Sequence, residues 1–552
     1  MVQYYQLAHN VRHAKTGSPV AEIIHNFGRA DELDRDELVR LCRSIARVCG
    51  VEVHDPMVPA KASVADDRPA VLPEDVKLIR TLELGVPHVV EALWERLKIG
   101  PALRKALEQS GGGIFHERAL LAMAANRLCD PDSKLGVWDR WLHSVYLPSC
   151  SEVKLYQMYE ALDLLQLNVA EVENAVFFHV ANLFNLVVDV IFYDTTTASF
   201  SIDEEDEDTE AGSGFRKFGH SKKGTWTPQI VVALAVTREG LPVRSWIFPG
   251  NTSDVDTVKK VREDLRGWKL GRALFVADSG MNSGTNRDEL ARACGKYLLA
   301  ARMGSVSEIK EEVLAKGGRF KTIAENLQAR EVVVGDGELR RRYILCHNPR
   351  EAERERKHRE QVVKELEEEL KEHPDHQATA RWAIDLLASG RYKRYLKVDE
   401  QGRIRLDREA IRQASKFDGK WVLQTNDDTI TVEDAAAGYK GLLVIERAFR
   451  TLKSTRIKME PMYHWLPKRI EAHVKLCVFS LLIERVAEMK CKQSWPQIRR
   501  TLFTLQATEF HTPKNQFFQR NEPTSELVKV LKSLEISIPK VVLDIKSAPS
   551  QT

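Results

Sequence analysis

The spacing of apolar residues changes along the chain, and each change marks a boundary between kinds of structure. Alternation over residues 2–8 and 20–26 predicts a β-hairpin, and a helical pattern follows from about 34 to 48, so residues 1–50 read as a small α/β module. Pro56, Pro59 and Pro69 among polar residues mark 51–75 as a linker. From 76 to 186 apolar residues recur at three and four, as in LLAMAANRL and LYQMYEALDLL, which predicts an all-helical region suited to DNA binding. Beyond residue 186 short β-branched runs take over: VVDVIFYDTT, TPQIVVALAVT, PVRSWIFPG, ALFVADSG and KYLLAARM. Helices near 253–266 and 284–294 separate the last three. Three consecutive strands followed by strand-helix alternation predict a mixed sheet with helices on both faces, in the ribonuclease-H-like order, over 187–303.

Residues 304–415 break this α/β pattern and are expected to form a β-rich α+β insertion domain. EVVVGDGELRRRYILC is a hairpin with a Gly-Asp-Gly turn, and residues 349–373 form a highly charged helix with Val362, Leu366 and Leu370 on one stripe. That stripe is too short for a coiled coil. The core resumes over 416–500 at FDGKWVLQTND, where Thr431 is placed to cap the helix that carries Glu446. Residues 501–552 remain as a C-terminal tail available for DNA or subunit contacts.

Composition narrows the class. With 552 residues, 43% hydrophobic, the chain can bury several cores. The longest apolar run, near 476–483, is far short of a membrane span, and the first residues lack the apolar stretch of a secretory signal. Eight cysteines without a CxxC pair exclude a zinc ribbon and a disulfide framework, which fits a reducing cytoplasm. The net charge of +3 averages over uneven segments. Residues 439–500 hold fourteen Lys or Arg against five Glu, which suits a polyanion partner. Residues 203–210 are almost wholly acidic and are expected to be a solvated tip, since consecutive carboxylates cannot converge on one ion. His464 and His473 lack the HExxH arrangement of a zinc hydrolase.

Three carboxylates stand out. Asp194 closes the apolar run VIFYD, Asp278 closes LFVAD, and Glu446 lies within GLLVIERAFRTLK. An Asp at a strand end also serves simply to cap a turn. Two such Asp on adjacent strands, with a Glu from a packed helix, would supply oxygen ligands for hard cations. Two cations would activate an attacking oxygen and stabilise a leaving oxygen in phosphodiester displacement. On a helix, Tyr439, Glu446 and Lys453 share a narrow stripe with Arg450 one turn on, while Leu442, Ile445, Phe449 and Leu452 form the buried face. Tyr439, Arg450 and Lys453 are thus candidate phosphate contacts. GFRKFGHSKKGTW places Arg216, Lys217, His220, Lys222 and Lys223 on a glycine-rich loop ahead of Trp226, a candidate DNA clamp with an aromatic for base stacking.

Residues 190–303 and 417–485 resemble the DDE transposases of bacterial insertion sequences. The family signature is tyrosine, two residues, arginine, three residues, glutamate, six residues, lysine; here it falls on Tyr439, Leu442, Glu446 and Lys453, with Leu442 in place of the arginine. Arg447 or Arg450 would then supply that phosphate contact. YDTTT, GHSKKG, PGNTSD, ADSGMNS and MYHWLPKRIEAHVKLCVFSLLI match as well. The resemblance implies a ribonuclease-H-like core, Asp194, Asp278 and Glu446 as catalytic metal ligands, and two magnesium ions, with manganese as the alternative. It also implies binding to double-stranded DNA at terminal inverted repeats, cleavage and strand transfer there, and a homodimer holding two DNA ends. The competing expectation is a non-catalytic DNA-binding protein that retains the fold.

Overall fold

The computed structural model describes residues 4–12, 19–29 and 76–547, apart from 209–213, 222–223, 305, 338–339, 374–376, 379 and 513–514. The expected helix at 34–48 and linker at 51–75 lie outside the described residues, as do Lys222 and Lys223. The chain divides into two units, Met1–Glu74 and Asp75–Thr552. In the first, β1 (Tyr4–Arg12) pairs antiparallel with β2 (Pro19–Arg29) as a hairpin.

The second unit opens with a strand, β3 (Lys77–Glu83), where a helix was expected. Helices Gly85–Arg96, Ile99–Gln109, Ile114–Cys129 and Leu155–Leu183 follow. Next come β4 (Val190–Ser199), β5 (Lys217–His220), β6 (Trp226–Thr237) and β7 (Pro242–Pro249). Helix Asp254–Gly267 leads to β8 (Leu274–Ala277), and helix Gly284–Ala291 to β9 (Lys296–Ala301). β10 (Lys321–Ala324), β11 (Leu327–Val334) and β12 (Arg341–His347) precede the charged helix Pro349–Glu372. After β13 (Leu396–Val398) and β14 (Ile404–Leu406), β15 (Lys420–Thr425) returns to the central sheet.

That sheet is mixed, in the order β10-β11-β12-β15-β9-β8-β4-β6-β5, with β7 also on β6. The strands expected to build a separate insertion domain therefore extend the main sheet: β12 pairs antiparallel with β15, which pairs antiparallel with β9. Alternation reports that a strand has two faces, and it carries no information about which sheet the strand joins. What stands apart is the segment between β12 and β15, where Val362, Leu366, Ala383, Tyr395 and Ile404 form a small core of their own.

Two cores sandwich the sheet. Phe192, Ile230, Val276 and Leu298 on one face meet Ile445, Phe449, Val474 and Cys477, while Tyr193, Phe275 and Trp246 on the other meet Val258 and Leu265. The long helix Pro467–Cys491 is buried on all sides from Ala472 to Glu484 because it serves two cores at once. Ile470, Val474 and Leu481 face the sheet, whereas Leu476, Phe479 and Ile483 enter the core of the 85–183 helices. Between these layers lies a buried ion pair, Lys475 Nζ to Glu173 Oε2 at 2.8 Å, with the Ser245 backbone N–H and hydroxyl donating to Glu173 Oε1. The described residues of 501–547 are likewise built into the fold. β16 (Gln506–His511) pairs with β3, then with β17 (Asn515–Arg520), which pairs with β18 (Val542–Ser547), and Leu527 and Leu531 join the helical core. Among the described residues no helix is long and apolar enough to cross a membrane.

Candidate active site

Strand β4 is the axis of the site. It runs parallel to β8 with Val190, Ile191 and Phe192 opposite Leu274, Phe275 and Val276, a constant offset of 84 residues (274 − 190). Asp194 and Asp278 differ by the same 84 (278 − 194), so the register brings both carboxylates to the point where the two strands stop pairing. Asp278 directly follows β8 and is exposed. Asp194, expected at a strand end, instead lies mid-strand, because β4 continues along β6 to Ser199 through Thr195, Thr196 and Thr197. Threonine is β-branched and suits that extension, although beside an Asp it reads as the start of a turn.

Alternation along β4 sorts its side chains. Phe192, Asp194 and Thr196 face one side, Tyr193 and Thr195 the other. On the first side sit helices Val432–Lys440 and Leu443–Arg450, where one continuous helix was expected. Thr431 caps the first, its Oγ1 accepting from the Asp434 N–H at 3.0 Å. The break falls at Gly441, where an added Cβ would stand 2.2 Å from Phe192 Cζ. Only a residue without a side chain lets the helix approach the strand this closely. Leu442, Ile445, Phe449 and Leu452 are buried as the periodicity requires. Glu446 and Arg450 are exposed on the opposite side.

The Tyr439 hydroxyl donates to Asp278 Oδ1 at 2.9 Å. Burial, followed by the charges of Asp278, Glu446 and Asp194, pushes that hydroxyl well above the ordinary tyrosine range, so all three carboxylates lie within electrostatic reach of it. Asp194 is itself oriented by its neighbour, whose Thr195 N–H donates to Asp194 Oδ1 at 2.8 Å. Lys453, in a widened turn over Thr451–Thr455, reaches back to β4, 3.4 Å from Thr196 Oγ1, and lies 3.9 Å from Glu460. On the far side of β4 the Thr195 hydroxyl donates to Asp254 Oδ1, and Tyr193 donates to Thr257 at 2.6 Å. Asp254 and Glu460, which accepts from the Ser199 N–H at 3.1 Å, were missed from sequence. PGNTSD ends on Asp254 and was the available signal.

The expected basic loop takes a different form. Residues 217–220 are an edge strand rather than a loop, and two of its predicted DNA contacts are already engaged. Arg216 Nε donates to Asp206 at 2.8 Å, and the largely buried Lys217 lies 3.0 Å from Asp208. Within the described part of the acidic run, 203–208, most side chains are exposed as expected, but Asp206 and Asp208 are tied to this strand. Each charge lowers the cost of placing the other against the sheet. His220 and Trp226 stay at the surface; Trp226 is 61% exposed, with its ring stacked near Phe218 and edge-on to His220.

Comparison with known proteins bears on this geometry. The family model for the transposase DDE domain matches residues 189–481, from the start of β4 to the end of the sheet-packing half of the long helix. The chain belongs to the DDE transposases. A second family model, the N-terminal domain of IS1634 family transposases, matches residues 1–54 of this transposase. No curated protein matches it. Among solved structures, a piggyBac transposase synaptic complex with hairpin DNA, determined by cryo-EM, aligns with a TM-score of 0.34 and 11% identity over 76% of this chain and 79% of that one. As a DDE transposase the protein binds and cleaves DNA in a divalent-metal-dependent reaction. Among the described residues of the transposase, no three acidic, His or Cys side chains are drawn around one point tightly enough to be a formed metal site. The donor set nevertheless fits a hard cation: it is all oxygen, all its members act electrostatically on Tyr439, and two of them are exposed.

Proposed function

We propose that Asp194, Asp278 and Glu446 are the catalytic carboxylates of this transposase and hold two magnesium ions, with manganese able to replace them. The supporting observation is the parallel register that brings Asp194 and Asp278 to the same end of β4 and β8, with Glu446 on the helix packed over β4 and all three charges felt at Tyr439. When bound, the metals would supply Lewis acidity at the attacking and leaving oxygens of a phosphodiester. The chain's own residues hold that arrangement in place. Tyr439 fixes one oxygen of Asp278, the Thr195 N–H fixes one of Asp194, and Gly441 seats the Glu446 helix against the strand. Exposed Arg447 and Arg450 extend the same helix face towards a DNA phosphate and stand in for the arginine that Leu442 replaces. Lys453 orders β4 beside the site.

Within this reading the mixed sheet is a ribonuclease-H-like core, and residues 1–50 and the 76–186 region bind the terminal inverted repeats. His220 and Trp226, on the exposed edge hairpin, contact the same DNA. Two copies hold two ends, since strand transfer joins both to one target. The test uses wild type and Glu446→Gln with labelled duplex carrying the element's own repeats, with and without magnesium. Nicking at the repeat end by wild type only with metal, together with undiminished binding but no cutting by the variant, is expected. Equal binding with no cutting by either protein under any divalent metal would replace this reading with a non-catalytic DNA-binding one.

A further inference from the structure

The β4–β8 ladder ends at Phe192 and Val276, two residues short of the aspartates, so strand pairing alone does not set the separation of Asp194 and Asp278. A hard cation tolerates an error of only about 0.2 Å in the distance to each ligand. Something else must hold the two segments. The first turn of the helix Asp254–Gly267 meets both of them, from the face of the sheet opposite Glu446. Alternation sends Tyr193 and Thr195, the two neighbours of Asp194, to that face. Tyr193 donates to Thr257 Oγ1 at 2.6 Å, Thr257 donates to the Asp254 carbonyl at 2.7 Å, and the Thr195 hydroxyl donates to the Asp254 carboxylate. Tyr193, Thr195 and Thr257 are buried, so losing any of these bonds would leave a hydroxyl without water to replace its partner. Thr195 is the joint: Asp254 holds its side chain, while its backbone N–H donates to Asp194 Oδ1 at 2.8 Å.

The segment after Asp278 is seated on the same helical turn. Ser279–Met281 form a tight turn directly beyond that aspartate. Within it Gly280 lies against Asp254, where an added Cβ would stand 3.0 Å from Asp254 Oδ2. The buried Asn286 amide bridges the two pieces of chain, donating to the Val255 and Met281 carbonyls at 2.9 Å each. Asp254 also opens its helix, a place where a carboxylate is favoured by the helix dipole whatever its side chain touches. That role would contribute to stability and leave the metal site alone. The contacts to Thr195 and Gly280 go further, since they join the neighbours of both aspartates through one side chain.

We propose that Asp254 is a positioning residue for the metal site: through the Thr195 hydroxyl and the turn at Gly280 it fixes the separation of Asp194 and Asp278, without touching metal or DNA. The proposal rests on the reading of those two aspartates as metal ligands. The test titrates manganese into full-length protein bound to a duplex that already ends at the repeat end. Free manganese is read by electron paramagnetic resonance, so no cutting is needed, and thermal melting is followed alongside. Asp254→Ala should weaken manganese binding by about ten- to a hundredfold, the range for groups that orient metal ligands. Asp254→Asn keeps an oxygen acceptor for Thr195 and should bind nearly as wild type does. Thr195→Val keeps the N–H to Asp194 and loses only the hydroxyl; it should reproduce the loss, and it carries the test if Asp254→Ala does not fold. Combined, the two changes should cost less than the sum of their separate effects. If Asp254→Asn is as damaging as Asp254→Ala, the charge itself acts on the metals and the proposal falls. Unchanged manganese affinity in Thr195→Val, or in an Asp254→Ala that merely melts lower, leaves Asp254 as a helix-start residue and also overturns it. Asp194→Asn, run beside these, keeps the two readings apart. If it binds manganese as wild type does, the carboxylate assignment falls; if it loses the metal while Asp254→Ala and Thr195→Val do not, the positioning role alone falls.

Discussion

At the scale of single residues, the Tyr439 hydroxyl fixes a proposed metal ligand from behind. Tyr439→Phe removes the bond to Asp278 and little else, and such supporting contacts contribute about ten- to a hundredfold in metal affinity or activity. A magnesium titration of cleavage should therefore show half-maximal activity at a correspondingly higher metal concentration, with DNA binding unchanged. Glu484 offers a second test, away from the site. It is fully buried, and burial raises its carboxyl to about 7 despite the ion pair with Arg456. A carboxyl raised on folding contributes stability below its unfolded value near 4.5 and loses it as pH rises through about 7. Depressed His464 and His473 act with the opposite sign, so the comparison must be with a variant. Between pH 5 and 8, wild type should lose roughly 3 kcal/mol relative to Glu484→Gln in urea denaturation.

At the scale of elements, the approach of the Glu446 helix to β4 turns on one missing side chain. Gly441→Ala would drive a methyl group into Phe192, an overpacking that costs about 1–3 kcal/mol. Cleavage should fall sharply, and Gly441→Ala with Phe192→Leu should recover part of both stability and activity. The proposed carboxylates could be singled out in sequence because Asp194 and Asp278 each follow a buried apolar run, and because seven-residue spacing aligns Tyr439, Glu446 and Lys453. Less legible was how β4 runs past Asp194, since three threonines signal both strand and turn. The kink at Gly441 was hidden too, because both halves keep helical backbone angles and the same buried stripe. Arg216 and Lys217 read as DNA contacts because charge in a sequence shows its sign and not its partner; Asp206 and Asp208 had already taken them.

At the scale of the whole molecule, the helical region and the described residues from Leu505 to Ser547 fold as one body, which no local pattern announces because pairing between distant strands leaves no periodic trace. Leu505, Leu527, Leu531 and Leu534 are all buried in the helical core. At about 1.5–3 kcal/mol each, their loss approaches the entire stability of a typical domain. A chain ending at Phe503 should be insoluble or molten by near-ultraviolet circular dichroism. Within that body, Lys475→Met would leave Glu173 charged and buried, and should cost about 3–5 kcal/mol by chemical denaturation. The pairing of β3 with β16 also sets a clock. Thr81 meets Thr508 across 427 residues of chain. At about 5–20 residues per second, a ribosome needs roughly 20 to 90 seconds to deliver the second after the first. Through most of that interval the nascent chain already carries Asp194 and Asp278, later Glu446 as well, yet one edge of its scaffold stays open. Competence to cut DNA thus arrives with the final strands, and a transcript broken near its end yields no partially active enzyme.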